Sequence, residues 1–137
     1  MLTVNETDFT RLEEAAKVAS RHAYCPYSNF AVGATVLTGD GSIFGGCNIE
    51  NASLGLTICA ERNAIFQAVA AGKTDLRAVM VYTPTGSPTA PCGACRQVLN
   101  EFEPNAPVWC VCDGPDVMEL TVSELLPGAF GPSNLRD

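Results

Sequence analysis

Thr57-Ile58-Cys59-Ala60-Glu61-Arg62 and, about thirty residues on, Pro91-Cys92-Gly93-Ala94-Cys95-Arg96 are the segments around which the chain is organised. Each places a cysteine where a helix is set to begin. After the first, apolar residues recur at helical spacing, predicting a helix over 58–71 with Ile58, Ile65, Phe66 and Val69 as its buried stripe and Gly72 closing it. The second opens a shorter helix over 92–102. Leu76 to Tyr82 between them is a continuous apolar run of the kind buried in a parallel sheet, and Val108 to Cys112 reads as another strand. Helices and strands that alternate in this way call for a mixed sheet with helices packed on it, an α/β protein.

Working outward, Ala31 to Leu37 and Ile43 to about Glu50 flank the turn Thr38-Gly39-Asp40-Gly41-Ser42 and predict a β-hairpin. Before it, Phe9, Leu12, Ala16, Ala19 and Ala23 mark a helix from Glu6 to Ala23, capped by Asn5 or Thr7. Pro26 stops that helix and makes Cys25-Pro26-Tyr27-Ser28-Asn29-Phe30 a loop. Past Cys112, the turn Asp113–Asp116 leads to a fifth strand near Val117–Thr121, a helical turn at Val122–Leu126 and an irregular tail. No repeat or linker interrupts the chain, so residues 1–137 are expected to form a single domain.

Composition narrows the ligand. Apolar residues make up 47% and charged residues 17%, which fits a folded globular protein and not a disordered one. The net charge is −7 and the eight Lys and Arg are scattered, so a polynucleotide or a nucleotide phosphate is disfavoured and a neutral small molecule is easier to accept. The N-terminus lacks the charged-then-apolar pattern of a signal peptide, and no apolar run approaches the ~20 residues that span a bilayer. Seven cysteines in such a chain are expected in reducing cytoplasm, away from membranes, where thiols more often serve metals or catalysis than disulfides.

Thiolates are good zinc ligands, and three protein ligands leave a fourth tetrahedral position open for water. Cys59, Cys92 and Cys95 supply three thiols, and Glu61 is the one acid inside either motif, placed to move protons. Residues two apart on a helix do not face each other, an objection to Cys59 and Glu61 sharing a site. It fades where the metal sits off the helix end, because the first turn converges there and the positive end of the dipole favours thiolate. Arg62 and Arg96 could hydrogen-bond the sulfurs and withdraw charge, or be ordinary surface pairs. Asn48 and Glu50 share a strand face, either as solvated edge residues or as part of a site. His22 reads as scaffold, and Cys110 and Cys112 as packing residues.

Tyr27-Ser28-Asn29-Phe30, Cys47-Asn48-Ile49-Glu50-Asn51-Ala52, Cys59-Ala60-Glu61-Arg62, Pro91-Cys92-Gly93-Ala94-Cys95-Arg96-Gln97 and Leu125-Leu126-Pro127-Gly128-Ala129-Phe130 together resemble the small, homotetrameric cytidine deaminases. The Cys-x-Glu and Pro-Cys-x-x-Cys pair is the cysteine form of the zinc deaminase signature. The resemblance covers nearly the whole chain. It implies a three-layer α/β/α sandwich with a five-stranded mixed sheet, one Zn²⁺ per subunit, and hydrolysis of cytidine and deoxycytidine to uridine and deoxyuridine plus ammonia. It further implies that Cys59, Cys92 and Cys95 hold the metal, that Glu61 shuttles protons and that Asn48 and Glu50 bind ribose. Phe30 would lie beside the pyrimidine, the Ala60 backbone would meet the base edge, and Phe130 would come from a neighbouring subunit of a homotetramer with shared active sites. Leu54, where the family often has an aromatic residue, and Ala31, where it often has proline, depart from the pattern. Two alternatives are a deaminase of blasticidin-type nucleoside antibiotics and a structural four-cysteine zinc-binding module using Cys25 or Cys47. A redox role for Cys92 and Cys95 leaves Cys59 and Glu61 unexplained.

Overall fold

In a computed structural model describing residues 4–136, the first helix, α1, runs from Glu6 to Ser20. Of the two expected caps, Asn5 is the one used. Its side-chain oxygen accepts the Asp8 N–H at 2.8 Å, and the Asp8 carboxylate reaches back to the Asn5 N–H at 3.4 Å. The helix stops at Ser20 and not at the expected Ala23, because Arg21, His22 and Ala23 turn back onto carbonyls three residues earlier and tighten the end.

The hairpin is β1 (Gly33–Thr38) and β2 (Ile43–Cys47). There follow α2 (Ala60–Ala70), β3 (Leu76–Tyr82), α3 (Gly93–Phe102), β4 (Pro107–Val111), β5 (Met118–Thr121) and the short α4 (Val122–Leu125). The sheet order is β2-β1-β3-β4-β5, with β3 and β4 parallel and every other neighbouring pair antiparallel.

The strands alternate their burial between two cores. On one face Leu37, Ala78, Met80, Trp109 and Val111 pack against Leu12 and Ala16 of α1. On the other, Val36, Val79, Val81, Val108 and Cys110 pack against Ala60, Ala64, Ile65 and Ala68 of α2 and Leu99 of α3. This is the three-layer α/β/α sandwich with a five-stranded mixed sheet. Strands covered on both sides are apolar on both faces, which is why Leu76–Tyr82, apart from the part-buried Arg77 near its start, shows no alternation in sequence.

Two further predicted details change. The buried stripe of α2 is made of Ala60, Ala64, Ile65 and Ala68, whereas Phe66 and Val69 are exposed and Ile58 precedes the helix. The cause is how closely α2 approaches β2. A Cβ on Gly46 would lie 2.5 Å from the Ala64 nitrogen and 2.7 Å from the Ala60 oxygen, so only small side chains fit at this contact. Gly33 plays the same part under α1, where a Cβ would lie 1.9 Å from the Ala16 oxygen. Secondly, β2 ends at Cys47 and not near Glu50, so Asn48 and Glu50 lie just beyond the strand.

Gly46→Ala is therefore expected to push β2 and α2 apart. Overpacking against backbone costs roughly 1–3 kcal/mol or more. The thermal midpoint should fall by several degrees, read by calorimetry, and an unchanged midpoint would contradict the contact.

Candidate active site

The chain leaves β2 and is stitched to two other segments before it reaches α2. Ile49 and Ile58 exchange backbone hydrogen bonds of 2.9 and 3.0 Å. Tyr24 N–H donates to the Asn48 oxygen at 2.9 Å, and Glu50 N–H donates to the Tyr24 oxygen at 2.8 Å. These isolated bridges set Asn48 and Glu50 beside the entry to α2.

Cys59 is the N-cap of α2 and Cys92 the N-cap of α3, both with extended backbone. Cys95 lies in the first turn of α3 and is fully buried. Because Cys59 stands outside the helix proper, the two-residue spacing to Glu61 presents no conflict. Cys59 and Cys92 sulfurs are 3.7 Å apart, those of Cys92 and Cys95 3.5 Å, and all three lie within 4.8 Å of one another.

Three sulfurs bound tetrahedrally to one zinc at ~2.3 Å sit roughly 3.8 Å apart, so this donor set fits the ion. No fourth Cys, His, Asp or Glu joins the group among the described residues, so neither Cys25 nor Cys47 completes a four-cysteine site. The thiols compete for protons. The Cys95 thiol, bonding to Cys59, brings Cys59 well below the usual thiol range, while that same bond and then burial push Cys95 up. A cation seated among them replaces those protons, the usual exchange of thiol for thiolate on metal binding.

Glu61 is almost fully buried beside this group. Burial pushes its carboxyl up to about 6, opposed by its own backbone N–H and reinforced by the Cys59 charge. Arg62 donates from Nη2 to the Cys59 sulfur and to the Thr57 oxygen, both at 3.4 Å. Arg96 does something else: its Nε donates to the Pro91 oxygen at 2.7 Å and its Nη1 to the Leu125 oxygen at 2.9 Å. The reason is reach. Those two carbonyls lie within its span, so it braces the loop before α3 against α4 and touches no sulfur.

A cleft of about 450 Å³ opens over these groups, lined among others by Ser28, Phe30, Asn48, Glu50, Cys59, Ala60, Glu61 and Cys92. Asn48 is buried, its Nδ2 donating to the Phe30 oxygen at 2.7 Å and its Oδ1 accepting the Val32 N–H at 2.9 Å. Glu50 Oε1 accepts the N–H groups of Tyr27 at 2.9 Å and Ser28 at 3.1 Å, and its Oε2 accepts the Ser28 hydroxyl. Phe130 does not reach this cleft in its own chain. It is 58% exposed, and its carbonyl is held by Gln97 at 2.8 Å and Asn100 at 3.3 Å. A second groove of about 500 Å³, lined by His22, Cys47, Asn63, Phe66 and others, contains none of the clustered thiols.

The family model described as "Cytidine and deoxycytidylate deaminase zinc-binding region" matches residues 6–111, a span containing all three clustered thiols and Glu61. The chain belongs to this deaminase family. It is 49% identical over 131 residues to a cytidine deaminase of Halalkalibacterium halodurans, covering 95% of this chain and 99% of that one. To a cytidine deaminase of Mycobacterium tuberculosis it is 41% identical over 130 residues, covering 95% of each. The crystal structure of a cytidine deaminase from Burkholderia pseudomallei matches with a TM-score of 0.85 at 50% identity, covering 88% of this chain and 98% of that one. The family's zinc-binding region thus falls on a three-thiol group spaced for that metal.

Sequence reasoning gave no role to several residues of this cleft, including Ser28, Thr57, Thr83, Thr89 and Ala90. Ser28 had a signal, standing inside the Tyr27–Phe30 segment that carries part of the family resemblance. Thr89 and Ala90 sit in a loop whose path depends on tertiary structure, and no local pattern marks them.

Proposed function

We propose that the chain is a zinc-dependent hydrolase that converts cytidine and deoxycytidine to uridine and deoxyuridine with release of ammonia, in pyrimidine salvage. The observation carrying this is one cleft lined both by Cys59, Glu61 and Cys92 and by Asn48 and Glu50. Cys59, Cys92 and Cys95 would hold one zinc ion per chain, with Arg62 drawing charge from Cys59. When bound, zinc supplies Lewis-acid activation of water at neutral pH.

The chain's own groups handle the protons and the orientation. Glu61 is buried and raised toward neutrality, so it can give and take a proton without a large driving force. It carries one proton to the ring nitrogen and a second to the departing amine, both originating from the water whose oxygen becomes the uridine carbonyl. Ala60 stands at the first position of α2, where a backbone N–H has no intrahelical partner, and that donor meets the base edge. Phe30 forms a wall beside the ring.

The sugar contact follows from unused hydrogen-bonding capacity. Glu50 already accepts three hydrogen bonds, so of the roughly four acceptor positions on a carboxylate about one remains, on Oε2. Asn48 has used one amide hydrogen in one bond and its oxygen in another, leaving a second hydrogen. An acceptor and a donor on two neighbouring cleft residues are what a single sugar hydroxyl needs, so ribose and deoxyribose are both accepted. Glu50→Ala should lower kcat/KM for cytidine roughly 10–100-fold, mainly through KM. Steady-state kinetics that leave KM unchanged would remove Glu50 from this role.

Residues 1–137 act as one deaminase domain on a free nucleoside, a neutral substrate that suits the net charge of −7. No helix of the described residues is long and apolar enough to cross a membrane, and seven free thiols suit a reducing cytoplasm. A homotetramer in which Phe130 serves a neighbouring cleft follows from the resemblance to the homotetrameric deaminases, and the exposed Phe66, Val69 and Phe130 side chains leave apolar surface for contacts between copies. Mixing the zinc-loaded protein with cytidine, deoxycytidine and a blasticidin-type antibiotic, and following ultraviolet absorbance, tests the reaction. Loss of cytidine and deoxycytidine absorbance is expected, and change with the antibiotic alone would overturn the assignment.

A further inference from the structure

Ser28 sits at the centre of the hydrogen bonds that shape the sugar side of the cleft. Its hydroxyl donates to Glu50 Oε2 and accepts the Phe30 N–H at 3.0 Å, while its own N–H donates to Glu50 Oε1 at 3.1 Å. Between Ser28 and Phe30, Asn29 has φ 56°, a left-handed conformation that Asn tolerates better than most residues. That turn brings the Phe30 N–H back onto the Ser28 oxygen. One hydroxyl therefore joins the carboxylate assigned to the sugar to the backbone of the aromatic residue assigned to the base.

We propose that Ser28 is a positioning residue for sugar recognition, its hydroxyl fixing the Glu50 carboxylate so that one acceptor of Oε2 is left for a substrate hydroxyl. The inference rests on the reading of Glu50 as the sugar contact. Without the hydroxyl, Oε2 loses its protein donor and the carboxylate is held on one oxygen only. The same bond is the largest influence keeping the Glu50 carboxyl below the usual carboxylate range. Ser28 acts through Glu50, so its effect should depend both on Glu50 and on the hydroxyls of the substrate.

The test compares cytidine with 2′,3′-dideoxycytidine in the zinc-loaded protein and in Ser28→Ala, Ser28→Thr, Glu50→Ala and the double variant. Ser28→Ala should lower kcat/KM for cytidine about tenfold, chiefly through KM, the size expected of one charge-assisted hydrogen bond. The loss on 2′,3′-dideoxycytidine should stay within about threefold, and Ser28→Thr, which keeps the hydroxyl, should restore cytidine turnover. In the Glu50→Ala background Ser28→Ala should have little further effect, as coupled groups require. Equal losses on the two substrates, or additive losses in the double variant, would overturn the role of Ser28 and leave Glu50 in place. If Glu50→Ala leaves the discrimination between the substrates intact, the sugar reading itself fails and takes this proposal with it. Should Ser28→Ala not fold, Ser28→Cys, with similar volume and a weaker donor, is measured in its place against the same outcomes.

Discussion

Glu61→Gln is expected to cut cytidine turnover by about 10³-fold or more while the zinc content stays at one per chain. General acid–base catalysis by a positioned group contributes roughly 10²–10⁴-fold, and in the mechanism proposed above a single carboxylate serves two proton transfers. The amide keeps the size and most of the packing of a buried side chain but can neither release nor accept the proton at the required step. Its position supports the separation of the two readouts. Glu61 belongs to the first turn of α2 but is not among the three clustered thiols, so metal retention should not depend on it. Metal analysis and turnover on the same sample check this. Turnover within tenfold of the parent would remove the proton-shuttle role, and loss of zinc would turn Glu61 into a structural residue of the metal site.

Cys95→Ala should have the opposite signature: zinc is lost first, and activity falls to background as a consequence. Cys95 is wholly buried beneath Cys59 and Cys92, and its sulfur lies 3.5 Å from that of Cys92. Removing it leaves two thiols, one of them exposed, to hold the ion without the third point of the tetrahedron. The buried void adds a packing cost, so the thermal midpoint should also fall. Retention of stoichiometric zinc with parental activity would show that the ion is held elsewhere.

Much of this site could be read from sequence because its key groups are attached to helix starts. An N-cap and a first turn bring side chains together over short spans, so Cys59 with Glu61, and Cys92 with Cys95, are near neighbours by local geometry alone. That the two pairs meet depends on α2 and α3 packing on one sheet face, which the alternation of helices and strands anticipated. Periodicity failed where backbone contact overruled hydrophobicity. Phe66 and Val69 look like core, but Gly46 draws α2 so near to β2 that alanines take the buried positions. Charge reasoning failed for Arg96, whose sequence neighbours suggest sulfur while its reach takes it to the Pro91 and Leu125 carbonyls. Nothing local could show that Asn48 would be buried and used to pin Phe30 and Val32, because those bonds link residues 18 and 16 apart.

The most direct measurement is a zinc titration of the metal-stripped chain, with bound metal, reactive thiols and cytidine absorbance followed together. Turnover should rise with bound zinc, stop at one ion per chain, and remove three thiols from reaction with a thiol reagent as it does so. Full turnover before any zinc is added, or uptake of one ion that silences four thiols, would contradict an open three-sulfur site as the seat of the chemistry.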